Sequence, residues 1–173
     1  MAAYLILVRG LPGSGKTTFS NKIKTFLESN DVDCVHLETD QYFMIDGKYV
    51  FEKNKLGENH KRCQKDTKKH LLNGKWVIVA NTFTTYEELK PYLQIARSCN
   101  VPFCIIEMGY IYESVHNVPE ETMTRMLKRY DDSSMLFDKM TPSEFKHYDM
   151  SFYVSGVEYE RGVFPALKDK VIE

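Results

Sequence analysis

One octapeptide near the start of the chain has the residue types and the spacing of a phosphate-binding loop. Residues 10–17 read GLPGSGKT and fit the pattern GxxxxGK[ST]. Glycines let backbone N–H groups turn toward phosphate oxygens, and a helix that follows presents its positive end to the same anion. The amine of Lys16 is placed to reach the β- and γ-phosphates of ATP, and the hydroxyl of Thr17 to ligate Mg²⁺. The predicted cofactor-binding residues are Gly13, Ser14, Gly15, Lys16, Thr17 and Thr18, the last as a donor to the α-phosphate.

The segments on either side of this loop meet the two structural requirements of the motif. Residues 4–8 are an apolar run that predicts a buried strand. Residues 16–29 predict a helix, because Phe19, Ile23 and Leu27 recur on one face. A glycine-rich turn that only joins a strand to a helix is the alternative, and the combined context favours phosphate binding.

An enzyme that moves a phosphoryl group also needs a residue that orients or deprotonates the attacking hydroxyl. Asp40 directly follows the second predicted strand, residues 33–38, and ligands of open α/β sheets gather at the carboxyl ends of the strands. We therefore predict that Asp40 is a catalytic base that contacts the substrate, while a simple cap of the turn that begins at Thr39 is the alternative.

Asn81 follows the third predicted strand, residues 76–80, where P-loop enzymes often carry an aspartate linked to Mg²⁺. An asparagine weakens metal binding through that route. Its amide is instead expected to bond to the P-loop or to a water on the metal, or to be an ordinary polar residue at a strand end.

Phosphoryl transfer also benefits from a cation that stabilises the charge of the transferring group. Arg125, Lys128 and Arg129 lie about one turn apart on a predicted helix, residues 119–130, where many small kinases place a closing lid. Arg125 is accordingly predicted as a catalytic residue, and plain surface charges are the alternative.

Two further groups of residues have the chemistry of a nucleic-acid surface. On the predicted helix 58–72, basic residues at offsets of three, four and seven could follow a phosphate backbone, but a solvated helix face is favoured: Lys61, Arg62, Lys65, Lys68 and Lys69. Four aromatic residues in the preceding loop could stack on a base, and packing within the loop is the default interpretation: Tyr42, Phe43, Tyr49 and Phe51.

Apolar runs alternate with helical stretches along the chain, a pattern typical of a parallel sheet with flanking helices. The remaining predicted strands are residues 101–108 and 151–154, and the remaining predicted helices are 85–98 and 166–171. Thr85 and Glu88 have the spacing of a capping box, and Asn73-Gly74 of a helix end. Residues 131–148 show no clear pattern. We expect one α/β domain over residues 1–173, with 109–131 as a shortened lid region.

The composition limits the classes of protein that the chain can represent. A length of 173 residues with 43% hydrophobic content supports one domain with a full core, and a net charge of -1 argues against binding nucleic acid by bulk electrostatics. Cys34, Cys63, Cys99 and Cys104 lack metal-site spacing and are interpreted as reduced thiols. No stretch approaches the ~20 apolar residues of a membrane span, and the first residues lack the features of a signal peptide, so a cytoplasmic location is expected.

Taken in order, these residues resemble the polynucleotide 5'-hydroxyl kinase-like family of P-loop kinases. The strings that carry the resemblance are VRGLPGSGKTT at 8–18, ETDQYF at 38–43, VIVANTFTTYEELKPY at 77–92 and HNVP at 116–119, with Asp46-Gly47, Tyr49, His60 and Gln64 between them and KRYD at 128–131 after them. The resemblance covers about residues 4–131. It implies a P-loop kinase fold whose parallel sheet has the strand order 2-3-1-4-5 and helices on both faces.

The resemblance also implies roles for residues of the site. Asp40 would accept the proton of a 5'-hydroxyl, Lys16 and Thr17 would hold phosphate and metal, and Thr82 would lie beside the acceptor. Family members often carry aspartates where this chain has Gln41 and Asn81. The nucleic-acid kinase of the family has an arginine at the position of Phe43, and the usual lid arginines have no clear counterpart among Tyr112, Glu113 and Ser114.

The leading hypothesis is therefore an ATP- and Mg²⁺-dependent kinase that acts on a hydroxyl, with a nucleic acid or nucleotide as the predicted substrate. A kinase of a hydroxymethylated base in DNA is a related alternative. A nucleotide-binding module with little transfer activity is the alternative of another class, and it is motivated by Asn81 and by the missing lid arginines.

Overall fold

A five-stranded parallel sheet organises the chain. The computed structural model describes residues 2–109 and 118–154. The strands of this sheet are β1 (Tyr4–Arg9), β2 (Cys34–Leu37), β5 (Trp76–Ala80), β6 (Phe103–Met108) and β7 (Tyr148–Val154). Their order is β2-β5-β1-β6-β7. Counted along the chain without the small hairpin β3–β4 described below, this is the order 2-3-1-4-5, so the prediction is confirmed.

Strand β1 lies at the centre of the sheet because both of its faces are apolar. Leu5 and Leu7 belong to one buried cluster, and Tyr4, Ile6 and Val8 belong to the other. A fully buried leucine or isoleucine contributes about 1.5–3 kcal/mol, so this strand gives a fixed support to the loop at its carboxyl end.

Helices cover both faces of the sheet. Their bounds are α1 (Lys16–Glu28), α2 (Leu56–Leu72), α3 (Tyr86–Cys99), α4 (Glu120–Lys128), α5 (Ser133–Lys139) and α6 (Pro142–Phe145). Helix α1 packs on the face of Ile6, and α2 and α3 pack on the face of Leu7. The predicted helix 166–171 lies outside the described residues.

Helices α5 and α6 occupy the segment for which the sequence showed no pattern. Each begins with a cap: Asp132 accepts a hydrogen bond from the Met135 amide at 2.9 Å, and Thr141 forms a capping box with Glu144. The string TPSE at residues 141–144 is a known start signal, but it precedes a helix of a single turn and has no apolar periodicity behind it.

The predicted capping box at the start of α3 is wrong. The Thr85 side chain makes no capping hydrogen bond, and Glu88 accepts instead from the amide of Thr84 at 2.7 Å. The carboxylate therefore holds the residue before the cap.

Asn73 and Gly74 do end helix α2, since Gly74 adopts the left-handed conformation that favours glycine, with φ of 78°.

A two-residue turn joins two short strands after the second strand of the sheet. Strands β3 (Met44–Ile45) and β4 (Lys48–Tyr49) pair in antiparallel fashion, with Asp46 at φ 50° and Gly47 at φ 77°. Positive φ at both turn positions is typical of a type I′ hairpin. The sequence shows the Asp-Gly signal, but strands of two residues are too short to give an alternating pattern.

The thiols agree with the expectation from the sequence. Cys34, Cys63, Cys99 and Cys104 are free, and only Cys99 is not fully buried. No group of acidic, histidine or cysteine side chains within the described ranges could hold a metal ion by itself. No helix in the same ranges combines the length and the apolar character that crossing a bilayer requires.

Candidate active site

The loop from Gly10 to Thr17 connects β1 to α1 at the carboxyl edge of the sheet. Gly13 and Gly15 have φ of 80° and 79°, which a side chain would oppose. Gly10 is close-packed: a Cβ there would lie 2.6 Å from Ser14 Oγ and 3.0 Å from Met108 Cβ. The first turn of α1 has no side-chain cap and no acidic residue. These features leave backbone N–H groups available for an anion.

Lys16 is folded over the loop. Its Nζ donates to the carbonyl oxygen of Leu11 at 2.9 Å. Burial lowers the pKa of the Lys16 ammonium to about 8, and the carboxylates of Glu38 and Asp40 act in the opposite direction. Both acids are therefore close enough to Lys16 to favour its charged form.

Asp40 lies on a short 3-10 helix, Thr39–Phe43, that follows β2, and its side chain is exposed. The Thr39 amide donates to Asn81 Oδ1 at 2.9 Å, and the Thr39 hydroxyl lies 3.1 Å from His60 Nδ1. Contacts from β5 and from α2 thus hold the residue next to Asp40. The structure brings Lys16 and Asp40 to the same site, as the edge rule for parallel sheets predicts.

The Asn81 side chain helps to hold the Thr39 backbone in place. Its Oδ1 accepts from Thr39, and its Nδ2 is buried with no partner among the residues that the structure describes. The side-chain bond of Asn81 goes to Thr39, 42 positions away in the sequence, and not to the P-loop as one of the expectations had it.

His60 and Glu38 are site residues to which the sequence assigned no role. Burial lowers the pKa of His60, with the carboxylates of Glu88 and Asp40 acting against it, so the site favours the neutral imidazole. Glu38 precedes the 3-10 helix, and its side chain caps it. Both residues stand in strings that carry the family resemblance, which was the only signal that could have found them.

Arg9 is a third residue whose role no local pattern revealed. Its side chain is fully buried beside the P-loop. The guanidinium donates to the carbonyl oxygens of Phe83 at 3.1 Å and Asp131 at 2.7 Å, and to Glu107 Oε2 at 3.2 Å. It also lies 4.2 Å from the ring centre of Tyr130. We call this set the Arg9 clamp, and it ties the end of α4 to three strand ends.

The structure gives the positions of the other predicted site residues, and their roles stay predictions. The carbonyl of Thr82 accepts from the Gly10 amide at 3.2 Å, so this residue lies against the P-loop. Thr17 and Thr18 are exposed on the first turn of α1. Arg125 is exposed on α4 and donates to Thr122 at 3.3 Å. Tyr112, Glu113 and Ser114 lie outside the described residues.

The aromatic residues of the loop divide into two pairs. Phe43 is buried, and Tyr42 donates to Asp66 at 2.8 Å beneath the guanidinium of Arg62, so both pack as the default interpretation expects. Tyr49 and Phe51 are 52% and 54% exposed. The exposure of this second pair leaves the alternative of base stacking open.

Comparisons with known proteins agree with this architecture. Residues 5–110 match the family model described as AAA domain. Human NEDD4-binding protein 2 is 28% identical over 162 residues, which cover 86% of this chain. The chain spans about 9% of the length of that protein.

Two solved structures have the same fold. Kti12 of Chaetomium thermophilum, solved in complex with ADP-AlF3, superposes with a TM-score of 0.68 at 15% identity, over 96% of this chain and 98% of that one. A fungal RNA kinase superposes with a TM-score of 0.54 at 13% identity, over 90% of this chain and 38% of that one. Since the family model covers most of the chain, the protein belongs to the AAA domain family and has the P-loop kinase-like fold that its motifs predict.

Proposed function

We propose that this protein transfers the γ-phosphate of ATP to a hydroxyl group, and that the acceptor is the 5'-hydroxyl of a nucleic acid or nucleotide. The observation that carries the proposal is that the P-loop with Lys16, after β1, and Asp40, after β2, lie at the same carboxyl edge of the parallel sheet. A cation suited to phosphate and a carboxylate suited to a hydroxyl face one site, which is the arrangement that phosphoryl transfer requires.

The residues present fit a nucleotide with Mg²⁺. Mg²⁺ in such sites is bound by few protein ligands together with waters and phosphates, so the lack of a three-acid cluster in the described ranges is no obstacle. The exposed Thr17 hydroxyl would hold the metal, which would neutralise charge on the β- and γ-phosphates. The loop amides, with Gly13 and Gly15 in positive φ, would hold the phosphates.

In the proposed reaction the Lys16 ammonium gives up its hydrogen bond to the Leu11 carbonyl oxygen and donates to phosphate oxygens instead. Asp40 orients the acceptor hydroxyl and takes its proton as the new O–P bond forms and the bond from the γ-phosphorus to the bridging oxygen breaks. ADP leaves with that oxygen. Arg125 is proposed to stabilise the transferring group, and Thr82 to contact the acceptor beside Asp40.

The charge of α2 supports a nucleic acid as the acceptor. Its lysines are exposed, and none forms a salt bridge within the described part of the chain: Lys61, Lys65, Lys68 and Lys69. The helix starts beside the Thr39 segment, where His60 lies, and ends near β5 at the opposite edge of the sheet. These lysines could therefore bind successive phosphates of a nucleic acid whose 5'-end lies at Asp40. The fungal RNA kinase that shares this fold agrees with such an acceptor.

Radiolabelled ATP tests the proposal directly. The protein is incubated with RNA and DNA oligonucleotides that carry a 5'-hydroxyl, with their 5'-phosphorylated counterparts, with nucleosides, and with DNA that contains a hydroxymethylated base. We expect label at the 5'-ends of the hydroxyl substrates only, and no label with Lys16→Ala. Label on the base after nuclease digestion would instead support the base kinase.

A nucleotide-binding module is the second candidate function, and Asn81 favours it. An amide stands where a metal-linked carboxylate is common, and it is used to hold Thr39. This candidate predicts tight ADP or ATP binding by calorimetry together with no labelled acceptor in the panel above. We also propose that one domain extends over residues 1–173 with a lid at 109–131, and that the protein is cytoplasmic.

Nucleotide binding is expected to take up protons near pH 8. Lys16 is about half protonated there, because its pKa is about 8, and the phosphates of ADP would raise that pKa. Uptake of roughly half a proton at pH 8 is expected, with almost none at pH 6.5, so affinity falls as the pH rises through 8. Calorimetry in buffers of different ionisation enthalpy measures this uptake. Lys16→Arg, whose cation stays charged, is the matched control; equal uptake by both proteins would contradict the assignment to Lys16.

A further inference from the structure

The exposed apolar surface of the hairpin lies next to the proposed acceptor carboxylate. It comprises residues 44–51, where the five exposed apolar side chains are Met44, Ile45, Tyr49, Val50 and Phe51. We call it the hairpin surface. Side chains of this size are normally buried in a small soluble domain, and a contiguous exposed group of them marks a binding surface.

The aromatic rings of this surface are held in place. Phe43 is buried at its base, with ring centres 5.0 Å from Phe51 and 6.1 Å from Tyr49. The Val50 amide donates to the Phe43 carbonyl at 2.9 Å, and the type I′ turn at Asp46 and Gly47 fixes the strand pair. A ligand would meet rings that are already ordered, which lowers the entropy cost of binding.

The hairpin surface is continuous with the acceptor site. Phe43 and Asp40 lie on the same 3-10 helix. The pKa of the Tyr49 phenol is raised mainly by partial burial and also by the charge of Asp40. Tyr49 therefore stands within electrostatic reach of the carboxylate. Lys48 and Lys53 flank the aromatic pair, and neither forms a salt bridge among the residues described by the structure. Flat apolar faces with nearby cations match a base attached to phosphates.

We infer that Tyr49 and Phe51 stack on an unpaired nucleobase at the 5'-end of the acceptor while its hydroxyl lies at Asp40. The inference rests on the proposed function and narrows it to acceptors with an accessible terminal base. It makes the hairpin surface a specificity element, since a paired or missing base would lose the stack and an acceptor with a free base would keep it.

Steady-state kinetics with two acceptors tests the inference. One is a single-stranded 5'-hydroxyl oligonucleotide, and the other is the same strand with an abasic residue at its 5'-end. We expect Tyr49→Ala and Phe51→Ala each to raise KM for the complete strand by roughly 5- to 150-fold with little change in kcat, since one base–aromatic stack has this value. With the unaltered protein, KM for the abasic strand should exceed KM for the complete strand by the same factor. The two alanine variants should raise KM for the abasic strand little further. Tyr49→Phe should retain the stack.

Met135→Ala is the matched control, because Met135 is 45% exposed on α5, outside the hairpin surface. Equal KM for both strands with the unaltered protein would overturn the inference while the kinase activity stands.

If no acceptor is phosphorylated, binding of both strands is measured by fluorescence anisotropy. Base-dependent binding that Tyr49→Ala abolishes would uphold the stack although transfer has failed, and its absence would overturn both. A change from dimer to monomer on sedimentation of Phe51→Ala would assign the surface to contact between copies and overturn the stack.

Discussion

Replacing Asp40 with asparagine is expected to lower kcat for phosphoryl transfer by about 10²- to 10⁴-fold, the usual contribution of a general base. The amide keeps the size and most hydrogen-bonding capacity of the side chain but cannot accept the proton of the acceptor. It also removes one of the two carboxylates that favour the charged form of Lys16. Single-turnover measurement with labelled ATP and the best acceptor gives the change in the chemical step.

Asp31→Asn is the matched control for this variant. Asp31 is exposed in the turn that precedes β2, at the opposite edge of the sheet from Asp40, and its φ of 59° is one that asparagine also adopts. We expect kcat of Asp31→Asn to equal that of the unaltered protein. A loss of less than tenfold for Asp40→Asn would show that another group receives the proton.

Replacing Arg9 with methionine is expected to lower the free energy of unfolding by about 3–5 kcal/mol, the cost of removing one partner from a buried ion pair. Methionine fills much of the volume, but it leaves the carbonyl oxygens of Phe83 and Asp131 without their donor and Glu107 without its cation. Such a loss is a large part of the stability of an ordinary domain. Urea denaturation followed by circular dichroism measures it.

Arg9→Lys separates charge from geometry, because one ammonium cannot reach three acceptors that a planar guanidinium spans. We expect it to lose stability as well, although less than Arg9→Met. Arg97→Met is the control: Arg97 is exposed on α3, with one bond to Ser143 Oγ at 3.2 Å, and a change within about 0.5 kcal/mol is expected. A similarly small change for Arg9→Met would mean that backbone packing alone holds the clamp together.

Local signals were sufficient for the P-loop, the presence of a parallel sheet and the position of Asp40, whereas the strand order came from the family resemblance. The GxxxxGK[ST] pattern specifies a loop within eight residues, and the apolar run of β1 predicts a strand buried on both faces. The rule that ligands gather at the carboxyl ends of parallel strands then places Asp40 opposite Lys16 without any knowledge of their contacts.

Long-range contacts explain what the sequence could not predict. The partners of Arg9 lie 74, 98 and 122 positions away, and an arginine at the end of an apolar strand gives no sign that its charge will be buried. The bond from Thr39 to Asn81 is of the same kind. Glu88 was expected to cap its own helix, yet competition from the Thr84 amide directed its carboxylate one residue upstream.

The Arg9 clamp would also limit a movement of α4. Tyr130 and Asp131 are held by Arg9, so the chain directly after the carboxyl terminus of α4 has a fixed position and would be the pivot of any movement of the helix. Arg125 lies three residues before Lys128, the last residue of α4, which at 1.5 Å per residue is about 4.5 Å from the end of the helix. A rotation of about 30° about that end would carry its Cα by only about 2 Å, so the long side chain of Arg125 would supply most of any larger movement of its guanidinium.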